Sequence, residues 1–144
     1  MEIDIRSTAS GGPPAARVRR LLLLASRAMG NPAREVSVLF CGDRLMAGLN
    51  RRWRGKDRPT DVLSFPAEGA PAGFLGDIVI SIPYAGRQAR RRGESRALEV
   101  DRLLLHGYLH LLGYDHETDR GEMDALEARL RRRFGIAEKR GSAA

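Results

Sequence analysis

Apolar residues recur along this chain in two rhythms, one of period two and one of helical period, and the rhythms take turns. Ile3 and Ile5 sit two apart among charged neighbours, the pattern of a short half-buried strand. Residues 11–14 form a linker whose prolines suit a helix start. Val18, Leu21, Leu22, Ala25 and Met29 then repeat at helical spacing until Gly30, Asn31 and Pro32 stop the helix. Val36, Val38 and Phe40 return to the strand period, and Asp43 is placed to cap a short helix through Leu45, Met46 and Leu49. The charged residues 51–58 read as a loop.

Two further strands are predicted over residues 62–65 and 77–82, forming a hairpin with a long Gly, Pro and Ala connection. Pro83 suits the first turn of a helix that carries Tyr84, Gln88 and Arg90, Arg91 and Arg92 and is closed by Gly93. Ser95 with Leu98 and Glu99 opens the longest helix, ending near Leu112. Asp119 and Glu122 make a capping-box pattern before Met123, Leu126, Leu130 and Phe134, the apolar face of a last helix. No repeat or break in composition divides the chain, so residues 1–144 read as one α+β domain, a small mixed sheet covered by helices. Its ends, 1–12 and 138–144, are expected to fray.

A hydrophobic fraction of 42% and a charged fraction of 30% place the chain among packed soluble domains, outside disordered and membrane compositions. The net charge of +7 would attract polyanions, nucleic acid first among them. Of the 25 cations only Lys56 and Lys139 are lysine, an imbalance that a codon bias towards arginine would also produce. Cys41 is the only cysteine, which rules out an internal disulfide and fits a cytoplasmic location. The apolar residues 21–24 follow Arg17, Arg19 and Arg20, but Arg27 ends the run too early for a membrane span, and no membrane partner is expected.

All three histidines lie within eleven residues, from His106 through His110 to His116. On a helix a four-residue step turns about 400° and rises about 6 Å, so His106 and His110 point the same way one turn apart. A continued helix would carry His116 about 15 Å along and out of reach, so the helix has to end between them. Gly113 is the residue type that ends helices in the left-handed conformation and lets the chain turn back. Three imidazoles at the end of a central helix suit a catalytic-type zinc ion with one open position, and hence a metal-dependent hydrolase. A structural zinc would want a fourth protein ligand; Cys41 is the single thiol and reads instead as a core residue after Val36, Val38 and Phe40.

The spacing also matches HExxHxxGxxH of one metalloprotease class, with Gly113 in the glycine place, but Gly107 stands where those enzymes carry the glutamate base. The closer resemblance is to the YbeY family of bacterial single-strand-specific metallo-endoribonucleases. Its signature HGxLHLxGYDH is matched in full from His106 to His116. Its second hallmark, RGxDxPTDVLSF, is matched from Arg54 to Phe65, and Gly76 to Ile80 is similar to its GDIVI strand. The short loop after Ala67, the first 30 residues and the last 10 have no counterpart in these motifs.

The resemblance implies one zinc ion on His106, His110 and His116, with catalytic weight on Arg54 and His106. It also implies single-stranded RNA as substrate, ribosomal RNA and the small ribosomal subunit as partners, no DNA, and a role in 16S rRNA 3′-end maturation and ribosome quality control. A guanidinium at Arg54 offers a planar, permanently charged fork for a phosphate, with Lys56 and Arg58 as further RNA contacts and Trp53 available to stack on a base. Thr60, Asp61 and Ser64 read as turn-forming residues, and Asp115 either orients a ligand imidazole or caps the turn. The arginines of residues 87–96 and 129–133 read as solvated helix faces, with RNA contact as the alternative. Two other functions remain open: a non-catalytic RNA-binding or ribosome-assembly factor with a zinc site, and a metalloprotease using a carboxylate outside the motif.

Overall fold

The two rhythms become a mixed sheet with helices on both faces. The computed structural model describes residues 1–30, 35–67 and 73–136. In chain order the elements are β1 (Glu2–Ser7), α1 (Ala15–Met29), β2 (Glu35–Cys41), α2 (Asp43–Arg54), β3 (Val62–Pro66), β4 (Phe74–Ser81), α3 (Ile82–Arg92), α4 (Arg96–Leu111) and α5 (Glu122–Phe134). The strands lie in the order β1-β2-β4-β3, with β1–β2 and β2–β4 parallel and β3–β4 antiparallel. The expected hairpin is the β3–β4 pair, with Val62 opposite Ile80 and Phe65 opposite Asp77. Glu2–Ser7, inside the terminal stretch expected to fray, is held as an edge strand against β2. The other expected frayed end, 138–144, lies outside the described residues, as do Asn31 and Pro32 of the first helix stop.

Alternation along β2 and β4 sends side chains to two separate cores. Val36, Val38, Phe40, Ile78 and Ile80 pack with Val18 and Leu22 of α1, Leu104 and Tyr108 of α4, and Met123 of α5. Cys41, Leu63 and Val79 face the other way, onto Met46 of α2. Each such fully buried aliphatic side chain contributes roughly 1.5–3 kcal/mol. α4 buries eleven of its 16 residues, so it lies between the sheet and the other helices rather than on the surface. Ser95 caps it by accepting a 3.1 Å hydrogen bond from the Leu98 amide.

Gly107 permits the close seat of α4 on the sheet. A Cβ there would lie 2.8 Å from Ile78 Cγ2 and 3.1 Å from Ser64 Oγ, closer than packed atoms tolerate. Gly76 does the same within the hairpin: its φ is +142°, and a Cβ would meet the Phe65 carbonyl oxygen at 2.3 Å.

Three local expectations are corrected. Residues 51–54 are not loop: α2 continues through Arg54 and ends at Gly55, whose φ of +69° lets its amide reach the Arg51 and Asn50 carbonyls. Arg51, Arg52 and Arg54 are at home in the last turn because cations complement the negative end of the helix dipole. Buried Asn50 then donates a 2.8 Å hydrogen bond to the Arg58 carbonyl and fastens the following loop to the helix. Asp43 is not the cap of α2, a place taken by Gly42; its carboxylate accepts from Ser81 Oγ at 2.9 Å and pairs with Arg87 at 2.8 Å, joining α2 to α3. At α5 the cap residue is Gly121, and Asp119 reaches past it to accept from the Met123 amide at 2.9 Å.

Candidate metal centre and cleft

α4 presents His106 and His110 on one face, and the turn at its end returns the third histidine to them. Gly113 has a φ of +100°, and the Tyr114 amide bonds back to the Leu109 carbonyl at 3.1 Å, so the chain reverses where a continued helix would have carried His116 away. The Asp115 carboxylate accepts from the Glu117 amide at 3.0 Å and its carbonyl from the Asp119 amide at 3.1 Å, so Asp115 caps the turn that presents His116. The ring centroids then lie 4.7, 5.3 and 5.7 Å apart, and one ligand nitrogen from each ring falls within 4.8 Å of the others.

Such a set fits a metal ion. Three imidazole donors converge from a rigid helix and a capped turn, and no other described His, Cys, Asp or Glu joins them. Cys41 belongs to the core on the opposite face of the sheet, packed with Met46, Leu63 and Val79, so the four-ligand alternative through its thiol is not realised. Burial pushes His110 below its usual value, helped by the neighbouring His106 and His116, which favours the neutral form that a metal requires. Burial pushes His106 down as well, but the hydrogen bond and charge of Glu127 outweigh it and leave His106 above its usual value. That hydrogen bond joins Glu127 Oε1 to His106 Nδ1.

The triad opens into a cleft of about 730 Å³ between α4, the C-terminal end of α2, β3 and α5. Arg54, Lys56 and Arg58 line it, all three exposed and, among the described residues, without an acidic partner. The structure thus brings together on one cleft the histidines and the three cations expected to contact RNA. Trp53 is 60% exposed but does not line the cleft; it meets Phe65 edge-on at 6.0 Å between ring centroids, with Arg52 stacked at 5.4 Å.

The turn-forming reading of Thr60, Asp61 and Ser64 agrees with their bonds. Asp61 accepts from the Val62 amide at 2.7 Å and from Gln88 at 3.3 Å, and Ser64 donates to the Gly107 carbonyl at 3.1 Å. All three also line the cleft. The arginine clusters are not uniformly solvated: Arg87 pairs with Asp43, Arg92 with Glu99 at 3.0 Å, and Arg131 lines the cleft 3.7 Å from Glu127.

Two features of the cleft had no place in the expectations from sequence. One is Glu127; its sequence signal was a carboxylate on the apolar face that holds Met123, Leu126 and Leu130, where a charge is out of pattern. The other is the buried group in which Arg102 pairs with Glu94 and Glu99, while Gln88 donates to Glu99 at 2.8 Å. Burial raises Glu99 above the usual carboxylate range, against the lowering by Arg92 and Gln88.

Comparison with known proteins agrees with this arrangement. The family model described as Endoribonuclease YbeY matches residues 15–135. The protein called Endoribonuclease YbeY of Anaeromyxobacter sp. (strain Fw109-5) is 46% identical over 130 residues, covering 88% of this chain and 68% of the relative. That of Persephonella marina is 49% identical over 96 residues, 64% of this chain and 63% of the relative. The chain therefore spans about two thirds of the length of these relatives. The solution structure of TM1509 from Thermotoga maritima superposes with a TM-score of 0.66 at 27% identity, covering 93% of this chain and 90% of that one. The chain belongs to the Endoribonuclease YbeY family.

Proposed function

We propose that this protein is a zinc-dependent endoribonuclease specific for single-stranded RNA. It would act in the cytoplasm on ribosomal RNA of the small ribosomal subunit, in 16S rRNA 3′-end maturation and ribosome quality control. The observation that carries the reading is the convergence of His106, His110 and His116 in a cleft whose mouth presents the unpaired cations Arg54, Lys56 and Arg58.

A zinc ion held by the three histidines would supply Lewis-acid chemistry and an activated water near neutral pH. The chain's own residues do the rest. Arg54 offers two parallel N–H donors to the non-bridging oxygens of the phosphate beside the histidines and offsets the charge that builds on them during cleavage. Lys56 and Arg58 hold flanking phosphates of the strand. Glu127 keeps His106 in place, so that His106 serves both as ligand and as part of the catalytic set.

Gly107 argues against peptide hydrolysis. The position that bears the glutamate base in HExxH proteases is here pressed against Ile78 and Ser64 of the sheet, with no room for a side chain. The test is incubation of metal-quantified protein with single-stranded ribosomal RNA, beside chelator-treated protein and His110→Ala. Cleavage restricted to the zinc-loaded wild type is expected. Cleavage that survives in both controls would overturn the reading, and tight RNA binding by zinc-loaded protein without cleavage would replace it with an assembly-factor role.

A further inference from the structure

α5 carries Met123, Leu126 and Leu130 into the core, and Glu127 sits among them at 8% exposure. A carboxylate in that place is costly to bury unless its oxygens are bonded. Both are engaged: Oε1 with His106 Nδ1, and Oε2 3.7 Å from Arg131 Nη1. The rest of the α5 face is aliphatic, so packing alone does not account for an acid at this position.

We propose that Glu127 is a positioning residue for the metal, holding the Nδ1 proton of His106 and so aiming Nε2 of that ring at His110 and His116. This role rests on the metal centre proposed above. A neutral imidazole carries one proton, shared between two nitrogens of similar basicity. A carboxylate fixed against Nδ1 selects the tautomer whose Nε2 lone pair is free, and it makes that nitrogen a stronger donor. It also stops the ring from turning about its Cβ–Cγ bond. His106 lies mid-helix, with only its own turn of α4 to orient it, whereas His116 is set by the capped turn around Asp115. Glu127 comes from a helix outside the matched sequence signatures and 21 residues beyond His106, so the centre includes a part that the histidine spacing does not contain.

The test is a titration of zinc into metal-free wild type, Glu127→Gln and Glu127→Ala, in competition with a chromophoric chelator at fixed pH, with the melting temperature of each metal-free protein measured alongside. Zinc affinity is expected to fall about 10- to 100-fold in Glu127→Ala. Glu127→Gln, which keeps volume and an acceptor oxygen but not the charge, falls between it and wild type. Leu126→Ala, which loosens α5 without touching His106, keeps wild-type affinity. Long-range 1H–15N spectra of the zinc-loaded wild type show His106 protonated on Nδ1 and bound through Nε2. Wild-type affinity in both Glu127 variants overturns the proposal, as does an equal loss in Leu126→Ala, which would make the role of α5 purely structural. A wild type that binds no zinc overturns the metal centre itself and this role with it.

Discussion

Ser64 Oγ donates a 3.1 Å hydrogen bond to the Gly107 carbonyl oxygen, tying edge strand β3 to the helix that carries two of the three histidines. The contact is possible because Gly107 has no side chain, and α4 rests directly on Ile78 and Ser64.

Gly107→Ala is therefore expected to destabilise the protein. Alanine gains about 1 kcal/mol of helix propensity, but its methyl would sit 2.8 Å from fully buried Ile78, where overpacking costs about 1–3 kcal/mol. A net loss of about 1 kcal/mol lowers the melting temperature by roughly 2–4 °C. Gly107→Glu, which would restore the protease-like motif, has no space at all and should not yield folded protein. A Gly107→Ala variant as stable as wild type in thermal denaturation would contradict the close seating of α4.

The cations at the cleft mouth should separate into two kinds. Arg54→Ala is expected to lower RNA cleavage by about 10- to 100-fold with zinc content unchanged, the scale of a lost hydrogen bond to a charged group. Lys56→Ala and Arg58→Ala should weaken RNA binding across sequences and reduce the salt dependence by about 0.7 in slope per lost phosphate contact on single strands. Cleavage kinetics and binding at several salt concentrations distinguish the two. Unchanged cleavage in Arg54→Ala would remove it from the catalytic set.

Cys41 should be inert in the folded protein. It is fully buried, and burial, with some help from Asp43, raises its thiol to about 11. At pH 8 the thiolate would be about one molecule in a thousand, before burial blocks the reagent. Iodoacetamide should label it only after denaturation, and Cys41→Ser should retain zinc. Loss of zinc in that variant would point to coordination that the fold does not show.

The Asp43–Arg87 pair predicts a pH effect with a definite sign. The Arg87 hydrogen bond, with that of Ser81, holds the Asp43 carboxyl below the usual range despite some burial. A depressed carboxylate contributes stability that is present above its unfolded value near 4 and lost as pH falls through the lower folded value. Both groups are partly exposed, so the contribution is at most about 1 kcal/mol. Asp43→Asn should thus be less stable than wild type at pH 7, and the gap should close in acid denaturation curves taken below pH 4. A gap that persists unchanged at low pH would assign the effect to packing instead.

The sequence by itself determined what depends on neighbours along the chain. The strand and helix periods placed all nine elements, Ser95 and Pro83 marked two helix starts, and the histidine spacing with Gly113 contained the whole turn that gathers the triad. Each of these is a property of a few consecutive residues, set by backbone geometry and local hydrogen bonds. Even locally, charge misled: Arg51, Arg52 and Arg54 have no apolar period and look like loop, yet they suit a helix C-terminus. Only the tertiary structure decided the strand order, the burial of α4 on every side, the seating of Arg54 on the histidine cleft, and the meeting of Glu127 with His106. Those relationships join residues far apart in the chain, and they follow from which apolar faces pack together, a choice that periodicity leaves open.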